Sequence, residues 1–173
     1  IVLGLYTGTR MSELCNFMQG DIKKIQGGYT LSIRKSKTKA GTRTIAVAHD
    51  IPCSIIKRRC DFTDPEKQLF TELKRGGYDD KLSSAMSPVF MRFRDRVGLT
   101  GATDFHSLRR TLITLMENLG IDQVRIARYV GHNLPTLAFS LYSNGSSLQT
   151  NIAVANLIRY PDQIEKAIIN FLK

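Results

Sequence analysis

IKKIQGGYTLSIRKSKTKAGTRTIAV, residues 22–47, is the stretch where the periodicity of this chain drops to two. IKKI, GYTLSI and TRTIAV alternate apolar with polar or charged residues, and Gly27, Gly28 and Gly41 punctuate them. The pattern predicts a small antiparallel sheet of about three strands, with KTKAG at the tip of its second hairpin. On either side the spacing is helical. Residues 1–6 read as the end of a buried helix, and TGTR as a glycine-containing turn into a second helix over 11–18, stopped near Gly20. Downstream, helices are expected over 53–59, 65–75, 88–97, 105–118, 122–130, 136–142, 151–158 and 162–172, with GGYDDKLSSAMS and GLTGAT as loops. The fold class is therefore α+β, mainly α.

Composition limits what such a fold can do. At 173 residues the chain can bury one real core, and no composition shift divides it. Twenty-five Lys and Arg against fifteen Asp and Glu give a net charge of +10, which favours a polyanionic partner, nucleic acid before an anionic membrane surface. The opening IVLGLYTG is too short to span a bilayer and has no basic flank before it, so no membrane role is expected. Cys15, Cys53 and Cys60 are odd in number and lack metal-ligand spacing, which fits packing residues in a reducing, cytoplasmic setting. The chain starts inside an apolar run, and the expectation is a fragment that lacks its first residues and a preceding domain.

Four stretches carry chemistry. In TGTRMSEL, Arg10 stands at a turn into a helix, and Glu13, one turn later, can orient its guanidinium. RKSKTKAGTR holds five basic residues, Arg34, Lys35, Lys37, Lys39 and Arg43, and no acid. Lysines on a sheet edge commonly do no more than keep it soluble. A projecting basic ribbon also suits a DNA backbone, and Arg34, Lys35, Lys39 and Arg43 are assigned to it. DFHSLRRT sets His106 and Arg109 three apart on one helix face, and YVGHNLPTLAFSLY sets His132 after Gly131 with Tyr142 ten residues on. Two arginines, two histidines, a lysine and a tyrosine form a coherent phosphate site. Arginine forks match phosphate oxygens, histidine exchanges protons near neutral pH, and tyrosine oxygen is a nucleophile once its charge is compensated. The sequence has no acidic cluster for paired divalent metals, no Walker-type loop and no zinc spacing, so no metal and no cofactor is expected.

These stretches, in this order, resemble the tyrosine recombinase, or phage integrase, family. The likeness makes Arg10 the first family arginine with Glu13 its acidic neighbour, and matches Lys37, with Lys39 a close rival, to the hairpin lysine. It further assigns His106 and Arg109 to the His-x-x-Arg box, His132 to the Gly-His box and Tyr142 to the nucleophile. Ser107 departs from the Asp common at that position, the gap from His132 to Tyr142 is one residue longer than usual, and a histidine common after the tyrosine is missing. The resemblance implies a helical catalytic domain over 1–173 with a small antiparallel sheet, and a separate DNA-binding domain on its N-terminal side. It also implies metal-independent strand cleavage and rejoining through a 3'-phosphotyrosyl link. The partners it implies are double-stranded DNA and three further copies of the chain, in a tetramer that exchanges C-terminal helices. A relaxing type IB topoisomerase would use the same chemistry as a monomer.

Overall fold

A computed structural model describes residues 1–34, 41–99, 103–133 and 147–172. The predicted sheet is present: β1 (Ile22–Ile25), β2 (Gly28–Ile33) and β3 (Arg43–Val47) form one antiparallel sheet in the order β1-β2-β3. Register pairs Leu31 with both Ile22 and Ile45, and Ile33 with Arg43. Side chains alternate across a strand, so Arg43, Ile45 and Val47 share one face, and that face meets the core.

The first helix, α1 (Val2–Thr7), ends at Gly8, whose φ of 60° and N–H donation to the Gly4 carbonyl at 2.9 Å form a left-handed cap. Three residues later α2 (Met11–Cys15) begins, shorter than the periodicity predicts. Beyond the sheet come α3 (Asp50–Arg59), α4 (Leu82–Arg96), α5 (Phe105–Asn118), α6 (Gln123–Val130), α7 (Leu148–Leu157) and α8 (Asp162–Leu172). The core lies where α1, α5 and α6 meet β3, around Leu3, Leu31, Ile45, Leu112, Met116 and Val130. α7 covers the outer end of β3, where Asn151 Nδ2 donates to the Thr44 carbonyl at 3.1 Å.

Two expectations need correction. Residues 65–75 are not helical. Gln19 and Gly20 donate to the carbonyls of Lys67 and Pro65 at 2.8 and 2.9 Å, and Leu69 donates to Phe17, so backbone groups a helix would use are taken by a distant segment. α4 starts six residues before Pro88, inside the stretch expected to be a loop. The proline removes one helical donor, at a cost of about 3 kcal/mol, and burial of Leu82 and Phe90 on either side of it offsets that loss. The expected helix over 136–142 lies outside the described residues.

The three thiols behave as packing groups. Cys15 and Cys60 are buried and Cys53 half-buried, and burial pushes each thiol up to about 11.

Candidate active site

The site is assembled from the two motifs that flank the sheet in sequence and converge above it. Arg10 is the N-cap of α2: its N–H donates to Glu13 Oε2 at 2.9 Å, and its Nη1 donates to Glu13 Oε1 at 2.6 Å. Glu13 is therefore both the helix-capping acid and the group that aims the Arg10 guanidinium. Its side chain is 4% exposed, against 32% for Arg10, so the acid is held inside and the arginine faces out. The turn before Arg10 is held by buried hydroxyls. Thr7 and Thr9 are buried, with hydroxyls 3.0 Å apart, and Thr7 Oγ1 donates to the Leu3 carbonyl.

The second motif opens α5. Asp104 caps it by accepting from the Ser107 N–H at 2.9 Å, and the Ser107 hydroxyl accepts from the Asp104 N–H at 3.2 Å. Ser107 thus completes a reciprocal cap, which gives the departure from the family's Asp a local structural purpose. On the next turn Arg109 points inward and is 1% exposed. Its Nη1 donates to the Gly8 carbonyl at 2.6 Å, whereas Nε and Nη2 are buried without a hydrogen-bond partner among the described residues. Buried donors are almost always satisfied, so two on one guanidinium mark a place for an acceptor. Burial, then the nearby charges of Arg43 and Arg10, lower the Arg109 pKa to about 10, which still leaves it a cation at neutral pH.

His132 follows Gly131, the left-handed cap of α6, and both of their N–H groups donate to the Ala127 carbonyl at 2.8 Å. Its imidazole lies within electrostatic reach of the same group. Partial desolvation, then the charges of Arg109 and Arg10, with smaller contributions from His106 and Arg43, lower its pKa from the ordinary histidine value. His106 is exposed at the first turn of α5. Arg10, His106 and Arg109 thus all lie close enough to His132 to act on its charge.

The basic ribbon is different. Lys35, Lys37 and Lys39 lie outside the described residues, as does Tyr142. Arg34 Nε pairs with Asp21 Oδ1 at 2.5 Å, and its Nη2 donates to the Gly20 carbonyl at 2.9 Å. Arg43, expected on the outward surface of the ribbon, instead has a side chain only 6% exposed and turned into the site. It donates from Nε to the Tyr129 carbonyl at 2.9 Å, from Nη1 to the Gly41 carbonyl at 2.8 Å and from Nη2 to Glu13 Oε2 at 3.3 Å. The sequence did hold the signal: Arg43 is in phase with Ile45 and Val47 on the buried sheet face.

Among the described residues no group of His, Cys, Asp and Glu could hold a metal ion, and no helix is long and apolar enough to cross a membrane. The cluster is cationic around one buried carboxylate, which suits an anion.

A mainly helical domain with a three-stranded antiparallel sheet carries these arginines and histidines, and the chain belongs to the phage integrase family, which it matches over residues 1–147. It is similar to Tyrosine recombinase XerA of Pyrococcus furiosus, with 30% identity over 163 residues, covering 91% of this chain and 54% of that protein. In fold it resembles the crystal structure of XerA recombinase (TM-score 0.52, 17% identity, 99% of this chain and 54% of that one). It also resembles the Tn1549 transposon integrase in complex with transposon right end DNA (TM-score 0.50, 20% identity, 90% and 56%). The chain thus spans about half the length of the relatives it matches.

Proposed function

We propose that this chain is the catalytic domain of a tyrosine-type site-specific DNA recombinase, acting on double-stranded DNA without a metal. One observation carries the reading: among the described residues the buried Arg109 guanidinium has two unpartnered donor nitrogens within electrostatic reach of Arg10 and His132, a receptor for the nonbridging oxygens of a phosphodiester. In this reading the Tyr142 oxygen attacks phosphorus in line, the 5' oxygen departs, and a 3'-phosphotyrosyl bond replaces the phosphodiester. Attack of a 5'-hydroxyl from another strand reverses the step. Arg10 and Arg109 stabilise the charge that develops on phosphorus oxygens, a role worth several kcal/mol in comparable sites. His106 takes up or returns the tyrosine proton, His132 donates to a nonbridging oxygen, and Lys37, with Lys39 its rival, protonates the departing oxygen.

Assembly as a tetramer on paired sites, by exchange of α8, belongs to the same proposal. None of the residues in α8 is buried, and Ile164, Ile169 and Phe171 are exposed apolar groups on it. The deciding experiment offers the protein a nicked suicide duplex carrying its target site and resolves covalent adduct on a denaturing gel. The wild-type chain should form adduct and Tyr142→Phe none; adduct from the Tyr142→Phe protein would overturn the nucleophile.

A further inference from the structure

We infer that Arg43 is a positioning residue, a buried strut that fixes Glu13, and through it Arg10, against the turn carrying His132. The inference rests on the recombinase reading and replaces the DNA-backbone contact expected for this arginine. Its guanidinium spans three separate pieces of the site. From β3 it reaches both Glu13 oxygens, Nη1 to Oε1 at 3.4 Å and Nη2 to Oε2 at 3.3 Å, and so shares Oε1 with Arg10. From the same fork it holds the Tyr129 carbonyl in the last turn of α6 and the Gly41 carbonyl before β3.

The contact with the His132 turn is also steric. A Cβ on Gly131 would lie 2.5 Å from Arg43 Nη1 and 2.8 Å from Cζ, so the turn sits directly against the guanidinium. Glycine at 131 is required twice over, by its φ of 77° and by this approach. Three planar contacts set by one rigid fork are beyond a lysine, whose ammonium is a point charge on a flexible stem. Arg43 also keeps Glu13 ionised. Burial pushes that carboxyl up, but the charge of Arg43 and the hydrogen bonds from Arg10 outweigh it and hold Glu13 below the usual carboxylate range. Among the described residues, Arg10 from α2, Arg43 from β3 and Arg109 from α5 are charged groups that act on it.

Arg43→Gln and Arg43→Lys separate a strut from a DNA contact and from a mere packing residue. With saturating nicked duplex, both variants should form phosphotyrosyl adduct about 100-fold more slowly than wild type, the scale of a misplaced catalytic group. DNA affinity should stay within about threefold, because ground-state binding is not what the strut supplies. The acid limb of the rate profile should move to higher pH in Arg43→Gln, as Glu13 loses its main counter-charge; a packing defect would lower the curve without moving the limb. The Glu13 carboxyl midpoint, followed by carbon NMR in the DNA-free chain, should rise in the same variant. Weakened DNA affinity with an unchanged saturating rate would overturn the proposal in favour of a backbone contact, and so would an unmoved Glu13 midpoint. A wild-type chain that forms no adduct would sink the recombinase reading instead, and the NMR titration would still decide the strut. Should Arg43→Gln fail to fold, a wild-type rate in Arg43→Lys is the overturning result.

Discussion

Arg109 Nη1 donates to the Gly8 carbonyl oxygen at 2.6 Å, and the two residues lie 101 positions apart. The left-handed cap that ends α1 is thus the acceptor that fixes the deepest cation of the site. That hydrogen bond ties the two arginine motifs together, because Arg10 follows the same turn.

Gly8→Ala tests that coupling. At φ 60° an alanine is strained, and its Cβ would lie 3.1 Å from both Leu112 Cδ2 and Val130 Cγ1. The expected cost is about 1–3 kcal/mol of unfolding free energy in urea. Adduct formation should fall as well, since the carbonyl that holds Arg109 must shift. Wild-type values of both would show that the turn accommodates a side chain freely.

Arg109→Met should separate stability from activity. The arginine is buried with two donor nitrogens that have no partner among the described residues, each of which costs folding free energy, and methionine fills similar volume with none. Unfolding free energy should rise by about 1–2 kcal/mol while adduct formation falls by a factor of about 100 or more. A destabilised but active variant would contradict both halves.

His132 supplies a pH test. Its folded-state pKa is lowered, so the neutral ring is favoured in the free protein, and the stability linked to it is present above the unfolded value of about 6.5 and lost as pH falls through the folded value. An anion seated among Arg109, Arg10 and His132 favours the imidazolium instead. Inorganic phosphate should therefore raise the His132 midpoint in a histidine-ring NMR titration and bind more tightly as pH falls toward that midpoint. A midpoint indifferent to phosphate would place the anion elsewhere.

Lys37 and Lys39 are distinguished by the leaving group. On a duplex whose scissile bridging oxygen is replaced by sulfur, the departing thiolate needs no acid. Lys37→Ala should be severely slow with oxygen and largely restored with sulfur, and Lys39→Ala mildly slow with both. Restoration of the Lys39 variant alone would move the acid by two residues.

Periodicity and caps made much of this legible. α5 and α8 begin and end where the spacing predicts, since Asp104 is a strong cap and the apolar rows are uninterrupted. Local motifs likewise placed Arg10 at a helix start with Glu13 to aim it. What failed depended on contacts between distant segments. Residues 65–75 have helical composition, but they give their backbone to residues 17–20. Arg43 carries a charge that suggests surface, yet the alternation of β3 turns it inward, where the buried Glu13 supplies a counter-charge and two backbone carbonyls accept its remaining donors. The identity of the acceptor for Arg109 could not be read from the sequence, because it is a backbone carbonyl in another motif.

The carboxylate of Glu165 has a practical consequence for where this chain can be cut. Its Oε1 accepts from the Tyr6 hydroxyl at 3.1 Å, from the Tyr160 N–H at 2.9 Å and pairs with His49 Nε2 at 3.0 Å, while His49 Nδ1 accepts from the Ile51 N–H and so caps α3. One oxygen near the start of α8 thus gathers donors from the first helix, from the entry to α3 and from the segment after α7. A protein engineer who trimmed α8 at residue 161, taking it for a loose tail, would leave buried or half-buried donors on three other elements without an acceptor. A boundary beyond 165 spares that junction.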